Sequence, residues 1–219
     1  MADAAELLRQ INANVFLHDV ELIALVPNKT GALKAKEACV DSITYVISAS
    51  ETHNLKNVNR SIEQSFAELE EIIGALGPIK VRLALACTFG CPFGEEVPLE
   101  RVIAMADRAQ HLGVDRILLA DTIGVANPTQ VKNILTAVKA RVHVDKLGVH
   151  FHDTRGMGLA NSLIAAAEGI TYFESAAGGL GGCPFAPGAA GNIATEDLVN
   201  MFHSMDIATG LSLEGLIDA

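Results

Sequence analysis

The sequence predicts an α/β fold, a (β/α)8 TIM barrel, present as a partial barrel of about six βα units. Three observations carry that expectation. Short apolar runs rich in β-branched residues alternate with helical patterns along the chain, as parallel strands joined by crossover helices do. The runs are almost continuously apolar, which suits a sheet covered on both faces. Polar residues gather at the C-terminal ends of successive runs, where a barrel carries its site. An open flavodoxin-like sheet also satisfies the count, since it needs only about five strands. Chemistry spread over four or more strand ends favours the barrel over the single switch point of an open sheet.

Six strands are expected: ELIALV (21–26), SITYVIS (42–48), KVRLALAC (80–87), DRILLAD (115–121), LGVHFH (147–152) and ITYFESAA (170–177). Helices are expected between them. Residues 61–76 place Phe66, Leu69, Ile73 and Leu76 at helical spacing, and Ser61 with Gln64 forms a capping-box pattern. Residues 98–113 run from Pro98 to Gly113, the punctuation that helices prefer. Residues 128–142 and 159–169 follow the same plan, and 194–205 closes the series with Thr195 as candidate N-cap. No linker or low-complexity segment divides the chain, so residues 1–219 read as a single domain.

Half of the 219 residues are hydrophobic, 19% are charged and the formal net charge is −10. That composition suits a well-buried globular domain. The negative charge argues against nucleic acid or an anionic membrane as partner. No apolar run reaches the ~18 residues of a membrane span, and MADAAELLRQ lacks the basic and apolar regions of a signal peptide. A cytoplasmic protein is expected. Cys39, Cys87, Cys91 and Cys183 show no disulfide or zinc-ribbon spacing, and Cys87 and Cys91 read as structural.

Three stretches carry chemistry. In KLGVHFHDTRG (146–156), His150 and His152 stand two apart and therefore on one face of a strand. Two imidazoles at a strand end, followed by Asp153, are candidates for a divalent metal, and oxygen co-ligands would shift the preference toward Mg or Mn. GGLGGCPFAPGAAGN (178–192) is a long glycine-rich loop that fits neither a phosphate loop nor a dinucleotide fingerprint. With Cys183 within it and Asn192 at its end, it reads either as a flexible linker or as a lid that carries an acid/base group. LLADTIGVANP (118–128) ends a strand on Asp121, a carboxylate suited to a metal, a water or a turn. Among the other histidines only His53, in ETHNLKN, is kept as a weak site candidate. Asn57, Asn59 and Arg60 are weak candidates for contacting a phosphate-bearing ligand.

HFHDTRGMGLAN, GGLGGCPFAPGAAGNIATEDLV, ADTIGVANP and PNKTGALKA together resemble the 3-hydroxy-3-methylglutaryl-CoA lyase family, from about residue 20 to the C-terminus. The His-x-His pair is shared with the isopropylmalate and homocitrate synthases. The cysteine-bearing glycine loop is particular to the lyase branch. The resemblance implies His150, His152 and Asn192 as ligands of Mg2+ or Mn2+. It also implies Cys183 as a proton-transfer residue, and Asp121 and Glu196 as acidic residues lining the site. It further implies an acyl-CoA substrate, retro-Claisen cleavage to acetyl-CoA and a keto acid, a place in leucine catabolism, and a homo-oligomer. CTFGCPFGEE leaves a citramalyl-CoA-type substrate as an alternative.

The family's barrel opens with a strand bearing an Arg-Asp-Gly-Leu-Gln type motif and a second strand bearing a Glu. Neither motif occurs in this sequence. The expectation is therefore a chain lacking the first two βα units and the final helix, either as a fragment or misplaced start or with the missing strands supplied by another chain. A further alternative follows: a non-catalytic domain that binds metal and oligomerises through its open sheet edges.

Overall fold

The computed structural model describes residues 4–13, 20–181 and 191–219. After α1 (Ala4–Asn12), strands and helices alternate: β1 (Ile23–Val26), α2 (Lys29–Glu37), β2 (Ser42–Ser48), α3 (Glu51–Val58), α4 (Ile62–Leu76), β3 (Lys80–Ala86), α5 (Leu99–Leu112), β4 (Arg116–Asp121), α6 (Pro128–Lys139), β5 (Leu147–Phe151), α7 (Gly158–Ala167), β6 (Phe173–Glu174), α8 (Thr195–Ser204) and α9 (Leu213–Asp218). Among the described residues the six strands are parallel and lie in chain order, β1 to β6. That order removes the flavodoxin-like alternative, in which the strand order reverses at a switch point. It is the order of a barrel arc.

The strand period of two divides the sheet into two faces. Ile43, Tyr45 and Ile47 of β2, Val81, Leu83 and Leu85 of β3, Ile117 and Leu119 of β4, and Leu147, Val149 and Phe151 of β5 all belong to one buried core. They meet the apolar stripes of the helices, such as Phe66, Leu69, Ile72 and Leu76 of α4. The opposite face carries smaller or polar residues: Thr44, Arg82, Ala84, Ala120, Gly148 and His150. In β1, Leu25 pairs with Thr44 on that second face and is 65% exposed. Arg82, only 4% exposed, is held there by an ion pair to Glu21 at 2.6 Å, and Tyr172 packs between the Arg82 and Arg116 guanidiniums.

Helix ends follow the local chemistry closely. The Ser61–Gln64 capping box is formed in both directions. Gly113 closes α5 with φ 87°. Asn127 accepts from the Gln130 N–H, and Pro128 follows it as the first residue of α6. Two expectations need correction, and one segment left unassigned takes a definite form. Thr195 is the first residue of α8 rather than its cap; the cap position is Ala194, and the Thr195 hydroxyl instead pairs with Ser175 at 2.9 Å. The run expected as a strand over 170–177 pairs with β5 only at 173–174, with an isolated bridge from Ala176 to Ala194 beyond it. ETHNLKN is a short helix, α3, started by the Ser50 side chain and ended by Asn59 at φ 54°.

Candidate active site

The strands end on one rim, and β5 supplies its centre. His150 is half-buried and His152 is 7% exposed, with ring centroids 5.2 Å apart. Burial, and next the charge of His150, push the His152 imidazole down to about 4. It is therefore neutral at pH 7 and keeps a lone pair for a ligand.

The C-terminal stem of the glycine segment is stitched to the end of β5. His152 and Asn192 form an antiparallel bridge, the Asp153 N–H donates to Gly191 O at 2.8 Å, and the Ile193 N–H donates to Phe151 O. Asn192 Nδ2 donates to Leu180 O at 2.9 Å, which ties the two stems of the segment together and fixes the amide orientation. Among the described residues, two buried polar atoms on these bridged residues find no partner: His152 Nδ1 and Asn192 Oδ1. An unpartnered buried acceptor is costly unless a ligand satisfies it.

Two imidazoles and an amide oxygen form a mixed N/O donor set of the kind that holds first-row divalent ions. The residues present fit a divalent cation. Among the described residues no group of three or more His, Cys, Asp or Glu side chains is arranged to hold one. The fit therefore rests on the two histidines with Asn192.

The acidic candidates take different places. Asp121 is 1% exposed, and its carboxylate accepts from the Val125 N–H at 3.0 Å and the Ala126 N–H at 2.9 Å. Its position pairs with Phe151, on the helix-facing side of the sheet. Burial raises its pKa, and the loop amides oppose that rise. Asp121 thus shapes the loop that follows β4. Glu196, in the first turn of α8, accepts from the Gly178 N–H with both oxygens at 2.9 Å. It anchors the start of the glycine segment, where Gly178 takes φ 60°, a conformation that costs a side chain about 1–2 kcal/mol. Cys183 lies outside the described residues.

Among the weaker candidates, His53, Asn59 and Arg60 have local structural contacts. His53 is buried on α3, where desolvation lowers its pKa, and packs 6.2 Å from the Phe93 ring. Arg60 pairs with Glu68 at 3.1 Å and donates to Pro27 O, and Asn59 is the left-handed end of α3. Cys91 lies 3.0 Å from the Ser50 hydroxyl, while Cys87 is buried. One rim carboxylate escaped sequence reasoning. Glu174, on β6, lies opposite His150 in the register and 3.2 Å from its Nδ1. The sequence signal was present as an acidic residue in an otherwise apolar run, but its partner is set by the strand register.

The strand order and the chemistry gathered at one rim place this chain among the (β/α)8-barrel proteins that work from the C-terminal ends of their strands. Within that class the chain belongs to the HMGL-like family, whose model matches residues 1–219. It is 45% identical over 202 residues to the hydroxymethylglutaryl-CoA lyase of Bacillus subtilis strain 168, covering 91% of this chain and 68% of that protein. Its structure is similar to that of the Bacillus subtilis HMG-CoA lyase, with TM-score 0.94 and 42% identity, over 100% of this chain and 73% of that one. It is also similar to an HMG-CoA lyase from Acinetobacter baumannii in complex with coenzyme A and 3-methylmalate, with TM-score 0.91 and 44% identity, covering 99% and 70%.

Proposed function

We propose that this chain is a metal-dependent carbon–carbon lyase that cleaves 3-hydroxy-3-methylglutaryl-CoA to acetyl-CoA and acetoacetate. The family membership and the names of the relatives support the reaction. The coenzyme A complex of the Acinetobacter baumannii relative supports an acyl-CoA substrate. The observation that carries the site is the bridge between His152 and Asn192. It joins the His-x-His strand end to the stem of the glycine segment and leaves an unpartnered buried polar atom on each residue.

His150, His152 and Asn192 would hold the cation, with Mg2+ or Mn2+ as the proposed ions. When bound, such a cation supplies Lewis-acid polarisation of the substrate's oxygens and makes its tertiary hydroxyl more acidic. The reaction then balances as a retro-Claisen step. A base takes the hydroxyl proton, and the alkoxide electrons form the carbonyl of acetoacetate. The carbon–carbon bond electrons leave as the enolate of acetyl-CoA, and an acid returns one proton to its carbon. Cys183 is the proposed acid, because an ordinary thiol, with a pKa of about 8.5, is mostly protonated at neutral pH and can give a proton to carbon. Glu196 and Asp121 act one step back: Glu196 holds the Gly178 end of the glycine segment, and Asp121 shapes the neighbouring rim loop.

Residues 1–219 act as one lyase domain in this reading, in the cytoplasm, as a homo-oligomer and within leucine catabolism. Among the described residues no helix is long and apolar enough to cross a membrane. A second reading is a metal-binding domain that assembles without turnover, and the exposure of Leu25 on β1 supports it. Incubation of the purified chain with hydroxymethylglutaryl-CoA and, separately, citramalyl-CoA tests the proposal, with acetyl-CoA release as the readout. Release from the first substrate supports the lyase as stated. Release from the second alone moves the chain to a citramalyl-CoA-type lyase. Assembly with bound metal and no release from either supports the second reading.

A further inference from the structure

The cation reading leaves open how the His150 imidazole is held in one tautomer and one ring orientation. His150 sits on the barrel-interior face of β5, two residues from Gly148. The neighbouring strand β6 runs parallel, with Val149 paired to Phe173 and His150 to Glu174. The side chains of His150, Tyr172 and Glu174 share that face with Gly148. A Cβ on Gly148 would come within 2.8 Å of Tyr172 Cδ1. The Glu174 carboxylate therefore lies beside the His150 ring because of the sheet register, and Oε2 is 3.2 Å from Nδ1.

A carboxylate offers only acceptors, so a hydrogen bond between this pair requires the proton to be on Nδ1. That leaves the Nε2 lone pair as the one available to a ligand. The segment after Glu174 is fixed independently, by the Ser175–Thr195 hydroxyl pair and the Ala176–Ala194 bridge.

We infer that Glu174 is a positioning residue for His150, selecting the Nδ1–H tautomer and presenting Nε2 toward the cation site. The inference rests on the reading of His150 as a ligand. Carboxylates that accept from the far nitrogen of a ligating histidine typically contribute about 10–100-fold to metal affinity.

The test is Mn2+ binding to the metal-free chain, followed by the electron paramagnetic resonance of free Mn2+, for the wild type, Glu174→Gln, Glu174→Ala and His150→Ala. The expected result is about 10–100-fold weaker binding in Glu174→Ala. Glu174→Gln should fall between that variant and the wild type, because its amide oxygen still accepts from Nδ1. Long-range 1H–15N spectra of the metal-free protein should show His150 as the Nδ1–H tautomer in the wild type, lost in Glu174→Ala. Unaltered Mn2+ affinity in both Glu174 variants, with His150→Ala impaired, overturns the role of Glu174 alone. Absence of Mn2+ binding by the wild type overturns the ligand reading and this inference together. Should Glu174→Ala fail to fold, the affinity and tautomer of Glu174→Gln decide the question.

Discussion

Glu95 ties the loop after β3 to the start of α3, and its replacement by Gln should destabilise the protein in a pH-dependent way. Its carboxylate accepts from the Thr52 N–H at 2.7 Å, the Glu51 N–H at 3.1 Å, the Ser50 hydroxyl at 2.8 Å and Arg101 at 2.7 Å. Burial pushes its pKa upward, but the Thr52 amide, Arg101 and Ser50 outweigh it and hold the pKa down at about 2 against an ordinary 4.5. At about 1.4 kcal/mol per tenfold change in proton affinity, that drop sets a ceiling of about 3 kcal/mol. The side chain is 21% exposed, and partial screening lowers the expected contribution to about 2 kcal/mol.

The sign follows from the depressed folded pKa. The stabilisation is complete above the unfolded value near 4.5 and is lost as pH falls through about 2. Urea unfolding of wild type and Glu95→Gln should thus show a gap of about 2 kcal/mol at pH 7 that shrinks between pH 4.5 and pH 2. Equal stabilities at pH 7, or a gap that persists unchanged at low pH, would refute the reasoning.

Other predictions concern the core and the site. Gly148→Ala places a methyl 2.7 Å from Leu118 Cδ2 and 2.8 Å from Tyr172 Cδ1, and overpacking of that kind should cost about 1–3 kcal/mol in thermal or urea unfolding. Phe151→Ala removes a side chain that is 1% exposed and packs tilted against Phe89, with ring centroids 5.6 Å apart, at an expected cost of about 3–5 kcal/mol by the same measurement. Cys183→Ala should retain Mn2+ binding and lose acetyl-CoA release; full activity in that variant would remove Cys183 from the proposed chemistry.

Much of the architecture was legible because the local rules agree with the tertiary packing. The strands of β2 to β5 are marked by apolar runs that the helices bury, and the ends of α4, α5 and α6 by Ser61, Gly113 and Asn127 with Pro128. Helix α3 was hidden because its buried positions include His53 and Asn54, which break the apolar period. Strand β6 pairs at two residues only, with β5 as its one neighbour among the described strands, so an apolar run overstated its length.

The site was legible in part. Residue spacing placed His150 and His152 on one strand end, and the family resemblance supplied Asn192. The bridge between His152 and Asn192 brings the two segments together. Strand parity already set Asp121 on the opposite face from Ala120, and Ala120 is the residue in register with His150. That inference needs the register, which no local pattern supplies. Glu174 was missed for the same reason.

The most direct test of the central claim is a titration of the chelator-treated chain with Mn2+, following bound metal and acetyl-CoA release from hydroxymethylglutaryl-CoA together, in the wild type and in His152→Ala. Release should rise in step with Mn2+ bound to the wild type, and His152→Ala should lose both if the metal site is as described. Release that is indifferent to Mn2+, or Mn2+ binding that survives in His152→Ala unchanged, would contradict that claim.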